Sequence, residues 1–242
     1  MSEPYVISAL VITVAFFGES MFGFGGGLIA VPILSLVLGV REAVTLILIF
    51  QFLMGTLIWK TYKKIQWPVV LPMTGGLVIG TIAGTFALSA FSPDLLRLVL
   101  ALTIIIFLIR SWFLSETVVA RETNNLIGNI SGLAGGLFTG LIGAGGPPII
   151  MYLSGVIKNK TAMRASLIYL FFITNVVRIT ISIPQSLFTS QVLKIAAIVL
   201  PFFLIAIVLG QVVHHRINED TYRQAVNVLL LVSVILLLAK VF

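Results

Sequence analysis

Apolar residues in this chain run on rather than alternate. Residues 65–93, 123–157 and 195–215 contain no Lys, Arg, Asp or Glu. Within these runs apolar side chains fall on every side of a helix instead of along one stripe, as expected of helices surrounded by lipid or by other protein. A crossing helix needs about 20 apolar residues, and each run reaches that length. Strands of a membrane barrel alternate apolar and polar residues over about 10 positions, and these runs do not.

Charges and Pro/Gly punctuation divide the chain into eight predicted segments, 5–40, 42–59, 67–91, 95–114, 125–157, 162–183, 190–213 and 221–241. Six have the length of one transmembrane helix. The first and fifth are too long, because at 1.5 Å per residue each would form a helix of roughly 50 Å against a hydrocarbon core of about 30 Å. Both are interrupted by glycine clusters, Gly23-Phe24-Gly25-Gly26-Gly27 and Gly143-Ala144-Gly145-Gly146-Pro147-Pro148. Glycine runs are poor helix interiors, and proline is tolerated in the first turn of a new helix. Each overlong segment is therefore predicted to be two short helices meeting at a break.

The two clusters recur in register: Gly23, Gly25 and Gly26 precede Gly143, Gly145 and Gly146 by the same interval. Each is followed by an apolar half-helix, a basic loop and three further spans. The predicted fold is an all-α integral membrane protein of two repeats, 1–121 and 122–242, each a Gly-broken helical hairpin plus three transmembrane helices. Charge placement tests the hairpin. If segment five folds back, Lys60, Lys63, Lys64, Arg110, Arg121, Lys158, Lys160, Arg164, Arg216 and Arg223 share one side, against Arg41, Arg97, Lys194 and Lys240 on the other. A straight crossing would divide the same residues evenly, so the positive-inside rule favours the hairpin. If segment one behaves alike, each repeat has five legs, the repeats are inverted, and both termini face outside a multi-pass plasma-membrane protein.

Composition agrees and removes competitors. The chain is 59% hydrophobic and only 10% charged, where a soluble domain carries about a quarter charged residues. The net charge of +7 lies in short loops between apolar segments, where orientation explains it, so nucleic acid is not an expected partner. Glu3 stands where a cleavable signal would carry basic residues. The chain has no cysteine, and His214 and His215 are adjacent and face different ways on a helix. With no carboxylate pair inside a span either, no metal, cofactor or enzymatic centre is expected.

The breaks themselves suggest chemistry. A half-helix beginning at Gly26–Leu28 or Gly146–Pro148 offers unpaired backbone N–H groups and about half a positive charge, a ready site for an anion. Pro147 and Pro148 donate no N–H, which leaves Gly143 to Gly146 as donors in the second half. Discontinuous helices in inverted repeats commonly build a transporter's substrate site, although small residues also serve tight helix packing.

The stretches Phe22-Gly23-Phe24-Gly25-Gly26-Gly27-Leu28-Ile29-Ala30-Val31-Pro32-Ile33-Leu34 and Leu141-Ile142-Gly143-Ala144-Gly145-Gly146-Pro147-Pro148-Ile149-Ile150-Met151-Tyr152-Leu153 resemble the two signature motifs of the TauE/SafE sulfite-exporter family. The resemblance covers essentially the whole chain. It implies a plasma-membrane carrier, in most members of bacterial or archaeal origin, for sulfite or small organosulfur anions such as sulfoacetate.

Individual polar residues complete the expected site. Arg178 lies deep in the sixth segment, where a charge is by default functional, with Asn175 one turn away on the same face. A guanidinium suits an oxyanion through paired hydrogen bonds; the alternatives are an ion pair with Glu19 or a side chain snorkelling to the interface. Glu19, before the first break, is the candidate for a coupling proton or for that ion pair, and is merely solvated if the hairpin tip is wet. Gln51, Thr45, Ser166, Tyr169 and Thr174 offer further polar groups, each read first as a helix–helix hydrogen bond. Arg164, Lys158 and Lys160 are read as setting orientation. The expected substrate contacts are Gly23, Gly25, Gly26, Gly27, Gly143, Gly145, Gly146, Pro147, Asn175 and Arg178. The expected activity is export of sulfite or a related small oxyanion by alternating access around a site between the breaks. An anion channel and a membrane scaffold are the alternatives, and oligomerisation stays open.

Overall fold

The computed structural model describes residues 3–57, 63–113 and 123–213, and among them the chain is helical without strands. The helices are α1 (Glu3–Phe22), α2 (Gly26–Leu38), α3 (Val40–Leu57), α4 (Trp67–Ala90), α5 (Pro93–Phe113), α6 (Asn125–Ile142), α7 (Gly146–Val156), α8 (Lys160–Ser182) and α9 (Ser190–Val213). Six stretches, Pro4–Phe22, Val40–Leu57, Trp67–Ala90, Asn125–Ile142, Thr161–Ser182 and Ser190–Val213, are long and apolar enough to cross a membrane. The expected last segment, 221–241, lies outside the described residues, as does the His214-His215 pair.

Both overlong segments break where the glycine clusters fall. α1 ends at Phe22 and α2 begins at Gly26; α6 ends at Ile142 and α7 begins at Gly146, each 120 positions further on. The starts of α3 and α8, Val40 and Lys160, keep the same interval. The breaks are not central, however. α1 has 20 residues and α2 has 13, while α6 has 18 and α7 has 11. At 1.5 Å per residue the leading helix is about 27–30 Å long, a full crossing, and only the trailing helix is of half length. Two short helices were expected; α1 grows longer because neither Pro nor a glycine run interrupts it between Ile7 and Phe22.

The described helices belong to two compact units, and each unit draws on both halves of the sequence. The first comprises Met1–Ile47, Phe91–Glu116 and Thr189–Phe242. In it α1 packs against α2 and α9. The rings of Phe16 and Phe203 meet edge to face with centroids 5.0 Å apart, and Ser20 Oγ donates to the Ile207 carbonyl at 2.9 Å. Ile12, Phe16, Met21, Leu34 and Phe203 form the fully buried centre. Arg41 Nη2 donates to the Phe91 carbonyl at 2.8 Å, tying the start of α3 to the approach to α5.

The second unit comprises Leu48–Ala90 and Thr117–Phe188. Its main contact is between α4 and α6, and it is made almost backbone to backbone. Gly76, Gly80 and Gly84 face the carbonyls of Asn129, Leu133 and Leu137, while Gly132, Gly136 and Gly140 face those of Met73, Leu77 and Thr81. Small residues at every fourth position let two membrane helices approach this closely. Asn129 Nδ2 adds a bond to the Pro72 carbonyl at 3.1 Å. The opposite faces carry exposed Leu71, Ile79 and Phe86 on α4 and Leu126 and Ile130 on α6, apolar surface suited to lipid.

Candidate functional site

The first break lies in the first unit. Gly23 (φ 84°) closes α1 by donating its N–H to the Glu19 carbonyl at 2.7 Å. Gly25 caps α2 in the left-handed region, at φ 105° and ψ −20°, where any side chain would cost about 1–2 kcal/mol. The first N–H groups of α2, those of Gly26, Gly27 and Leu28, have no acceptor within their own helix. The side chain of Glu19 is 3% exposed, so it is enclosed by protein and not solvated at a wet tip. Its Oε2 occupies the space that a side chain on Gly26 would fill. A carboxylate is thus held against the positive end of α2, where the helix dipole favours it.

The second break lies in the second unit and is built differently. Gly143 (φ 68°) closes α6 by donating its N–H to the Thr139 carbonyl at 2.9 Å. Gly145, at φ −82°, has an ordinary backbone conformation. Glycine is needed there for space, because the place of its missing side chain is taken by Thr139 Oγ1 and the Gly135 carbonyl. Thr139 Oγ1 donates to that carbonyl at 2.7 Å. Pro147 and Pro148 stand in the first turn of α7 and remove two of its three leading donors. α7 then folds back along α6: Ile149 lies on Gly135, Tyr152 lies on Gly128, and Tyr152 Oη donates to the Asn124 carbonyl at 3.0 Å. The fifth segment is therefore a hairpin, as expected.

α8 brings a buried polar row to the second unit. Thr174, Asn175, Arg178 and Ser182 are each no more than 2% exposed. Arg178 Nη1 donates to Asn175 Oδ1 at 3.5 Å, the outer limit of a hydrogen bond. At 1% exposure Arg178 is enclosed, which does not fit a side chain snorkelling outward along lipid. Arg164, read from sequence as an orientation charge, is 8% exposed. It sits inside α8 on a packed face, whereas Lys158 precedes the helix.

The five additional polar candidates separate. Thr45 and Thr174 hydroxyls donate to carbonyls of their own helices, of Arg41 and Phe171, both at 2.8 Å. Ser166 Oγ accepts the Gln66 N–H at 3.2 Å, and the Tyr169 ring meets Trp67 at 5.1 Å. Gln51 differs, because its buried Oε1 has no hydrogen-bond partner. Thr139 was missed by sequence reading, although its place 120 residues after Glu19 marked it. Among the described residues no group of three His, Cys, Asp or Glu gathers as a metal site would require.

A family model described as "Sulfite exporter TauE/SafE" matches residues 8–237 of the chain. A curated relative from Cupriavidus necator, named "Probable sulfite/organosulfonate exporter TauE", is 28% identical over 204 residues, covering 80% of this chain and 77% of the relative. No solved structure matches the chain.

Proposed function

The chain belongs to the sulfite exporter TauE/SafE family, and we propose that it carries sulfite or a small organosulfonate outward across the plasma membrane. The observation that supports this reading on the chain's own residues is Arg178. An enclosed guanidinium with an amide one turn away, within the buried polar row of α8, is costly unless it serves a ligand or a partner. Arg178 and Asn175 are proposed to hold the sulfonyl oxygens. The backbone donors at Gly23, Gly25, Gly26 and Gly27, and at Gly143, Gly145 and Gly146 beside Pro147, are proposed to add helix-end potential.

Alternating access is preferred to a channel because, among the described residues, most buried Ser and Thr hydroxyls are bonded to carbonyls of their own helices. A continuous wet pore would need an uninterrupted polar lining. Glu19 is proposed to carry a coupling proton, because it is a carboxylate enclosed beside the first break. The inverted arrangement of the two halves, with both termini outside, belongs to the same proposal. Its support is the charge split together with the hairpin of α6 and α7.

Purified protein in liposomes should show saturable flux of sulfite or sulfoacetate, with counterflow, and weakened flux in Arg178→Lys because an ammonium lacks the planar fork. An imposed proton gradient should alter the rate, and Glu19→Gln should remove that dependence. A panel of sulfite, sulfoacetate, thiosulfate and sulfate that shows neither binding nor flux, while a cation is carried, would overturn the anion reading. Single cysteines at Lys64 and Lys158 should label from the cytoplasmic side and one at Leu187 from outside; labelling of the first two from opposite sides would sink the topology.

A further inference from the structure

Three buried side-chain amide atoms in the second unit lack hydrogen-bond partners, and two of them lie inside helices: Gln51 Oε1 on α3 and Asn175 Nδ2 on α8, the third being Gln185 Oε1 beyond the end of α8. Gln51 is 7% exposed and Asn175 fully buried, and a polar atom left alone in such a place has lost water without replacing it. Native proteins keep few such atoms, and each calls for a reason.

Both lie on the same seam. Gly55 of α3 packs on the Phe172 side chain of α8, and the rings of Phe52 and Phe172 stack with centroids 5.7 Å apart. Further along the chain, Gln66 N–H bonds Ser166 Oγ and the Trp67 ring meets Tyr169. α4 therefore starts beside the first half of α8 and runs the same way, and because α3 and α4 are consecutive helices of crossing length, α3 and α8 run in opposite senses. Gln51 lies one turn before Gly55, and Asn175 lies one turn after Phe172, each on the face its neighbour uses. Measured at 1.5 Å per residue, the two steps are roughly 6 and 4.5 Å, which brings both amides to one level of the seam. Arg178 follows Asn175 by one further turn.

We infer that Gln51 is a substrate contact and a determinant of specificity, its carboxamide facing the oxyanion that Asn175 and Arg178 hold. This rests on the reading of Arg178 and Asn175 as the anion site. An oxyanion satisfies Asn175 Nδ2 by accepting from it. Gln51 meets the same ligand with either end of its amide: the oxygen accepts from the S–OH of hydrogen sulfite, and the NH2 group donates to a sulfonate oxygen. Being neutral, it adds a polar contact without adding charge, and it gives the seam a means to tell protonated from bare oxyanions. An apolar residue in its place would lose that contact and nothing else.

Gln51→Leu separates this role from a structural one. If the amide waits for substrate, removing it takes away one unmet polar atom and creates none, so the detergent-solubilised variant keeps or raises its Tm. The KM for sulfite should rise about tenfold or more, as expected for one hydrogen bond to a charged group, with kcat changed less than about twofold. Gln51→Glu, which sets a carboxylate beside the anion, should abolish flux. Unchanged KM in Gln51→Leu, or a lowered Tm with unchanged KM, would overturn the inference while impaired Arg178→Lys left the parent site standing. Unaltered protein showing neither sulfite flux nor a sulfite-dependent rise in Tm would overturn both.

Discussion

The two glycine breaks occupy corresponding positions in the chain and solve different physical problems. At the first, Gly25 is required by conformation, because its φ of 105° excludes ordinary side chains. At the second, Gly145 is required by space, because its backbone is unstrained while Thr139 Oγ1 and the Gly135 carbonyl fill the place of a side chain. The helix that follows the first break keeps all its leading N–H groups and has the Glu19 carboxylate at its end. The one that follows the second has two prolines in the first turn and a threonine hydroxyl in the matching place. The two breaks thus share helix boundaries 120 positions apart while their backbone and electrostatics differ. The first is strongly positive and already faces an anion of its own; the second is weak in donors and carries no charge.

The sharpest way to break this contrast is to equalise the charges. Thr139→Glu puts a second carboxylate where the side chain is 1% exposed, beside one remaining helix-end donor. An uncompensated buried charge costs about 3–5 kcal/mol, so little monodisperse protein should survive size-exclusion chromatography. Normal yield would show that the second break tolerates charge as well as the first does.

Two alanine substitutions distinguish conformation from space. Gly145→Ala should destabilise by about 1–3 kcal/mol, the range for overpacking, and Gly145→Asn should be worse. Gly25→Ala should cost about 1–2 kcal/mol through its left-handed backbone, and Gly25→Asn should recover part of that loss, since asparagine tolerates this region. Thermal melts of the four variants read the pattern directly. Rescue by asparagine at 145 rather than at 25 would reverse the assignment. The smallest effect is expected from Pro147→Ala, which returns a backbone donor to α7. Stability should fall by less than about 1 kcal/mol. If the second break touches the anion, sulfite affinity should rise.

Much of this was legible beforehand. The breaks, their interval and the hairpin of the fifth segment follow from glycine clusters and charge, because these act locally. The length of the leading helices was not legible. α6 contains Gly128, Gly132, Gly135, Gly136 and Gly140, a composition unfavourable to a helix on propensity alone. It persists because those glycines admit the backbone of α4, and propensity cannot see a partner 50 residues away. The same limit applies to polar residues. The burial of Arg178 could be read from the apolar run around it, but Arg164 was grouped with Lys158 and Lys160 because of their nearness in sequence. Whether Gln51 found a hydrogen bond depended on what the fold placed beside it.

The pairing of α1 with α9 also sets an order of events in the life of the chain. Ser20 finds its acceptor on Ile207, a residue 187 positions later. At the usual pace of synthesis, 5–20 residues per second, α9 follows α1 by roughly 10 to 40 seconds. Throughout that interval the face of α1 that carries Phe16 and Ser20 lacks its α9 neighbour, and the bilayer offers no water to take its place. α1 is therefore made long before the helix that houses it. Truncation before Ser190 should leave a chain that inserts but is cleared by membrane quality control, even though the second unit is complete by then.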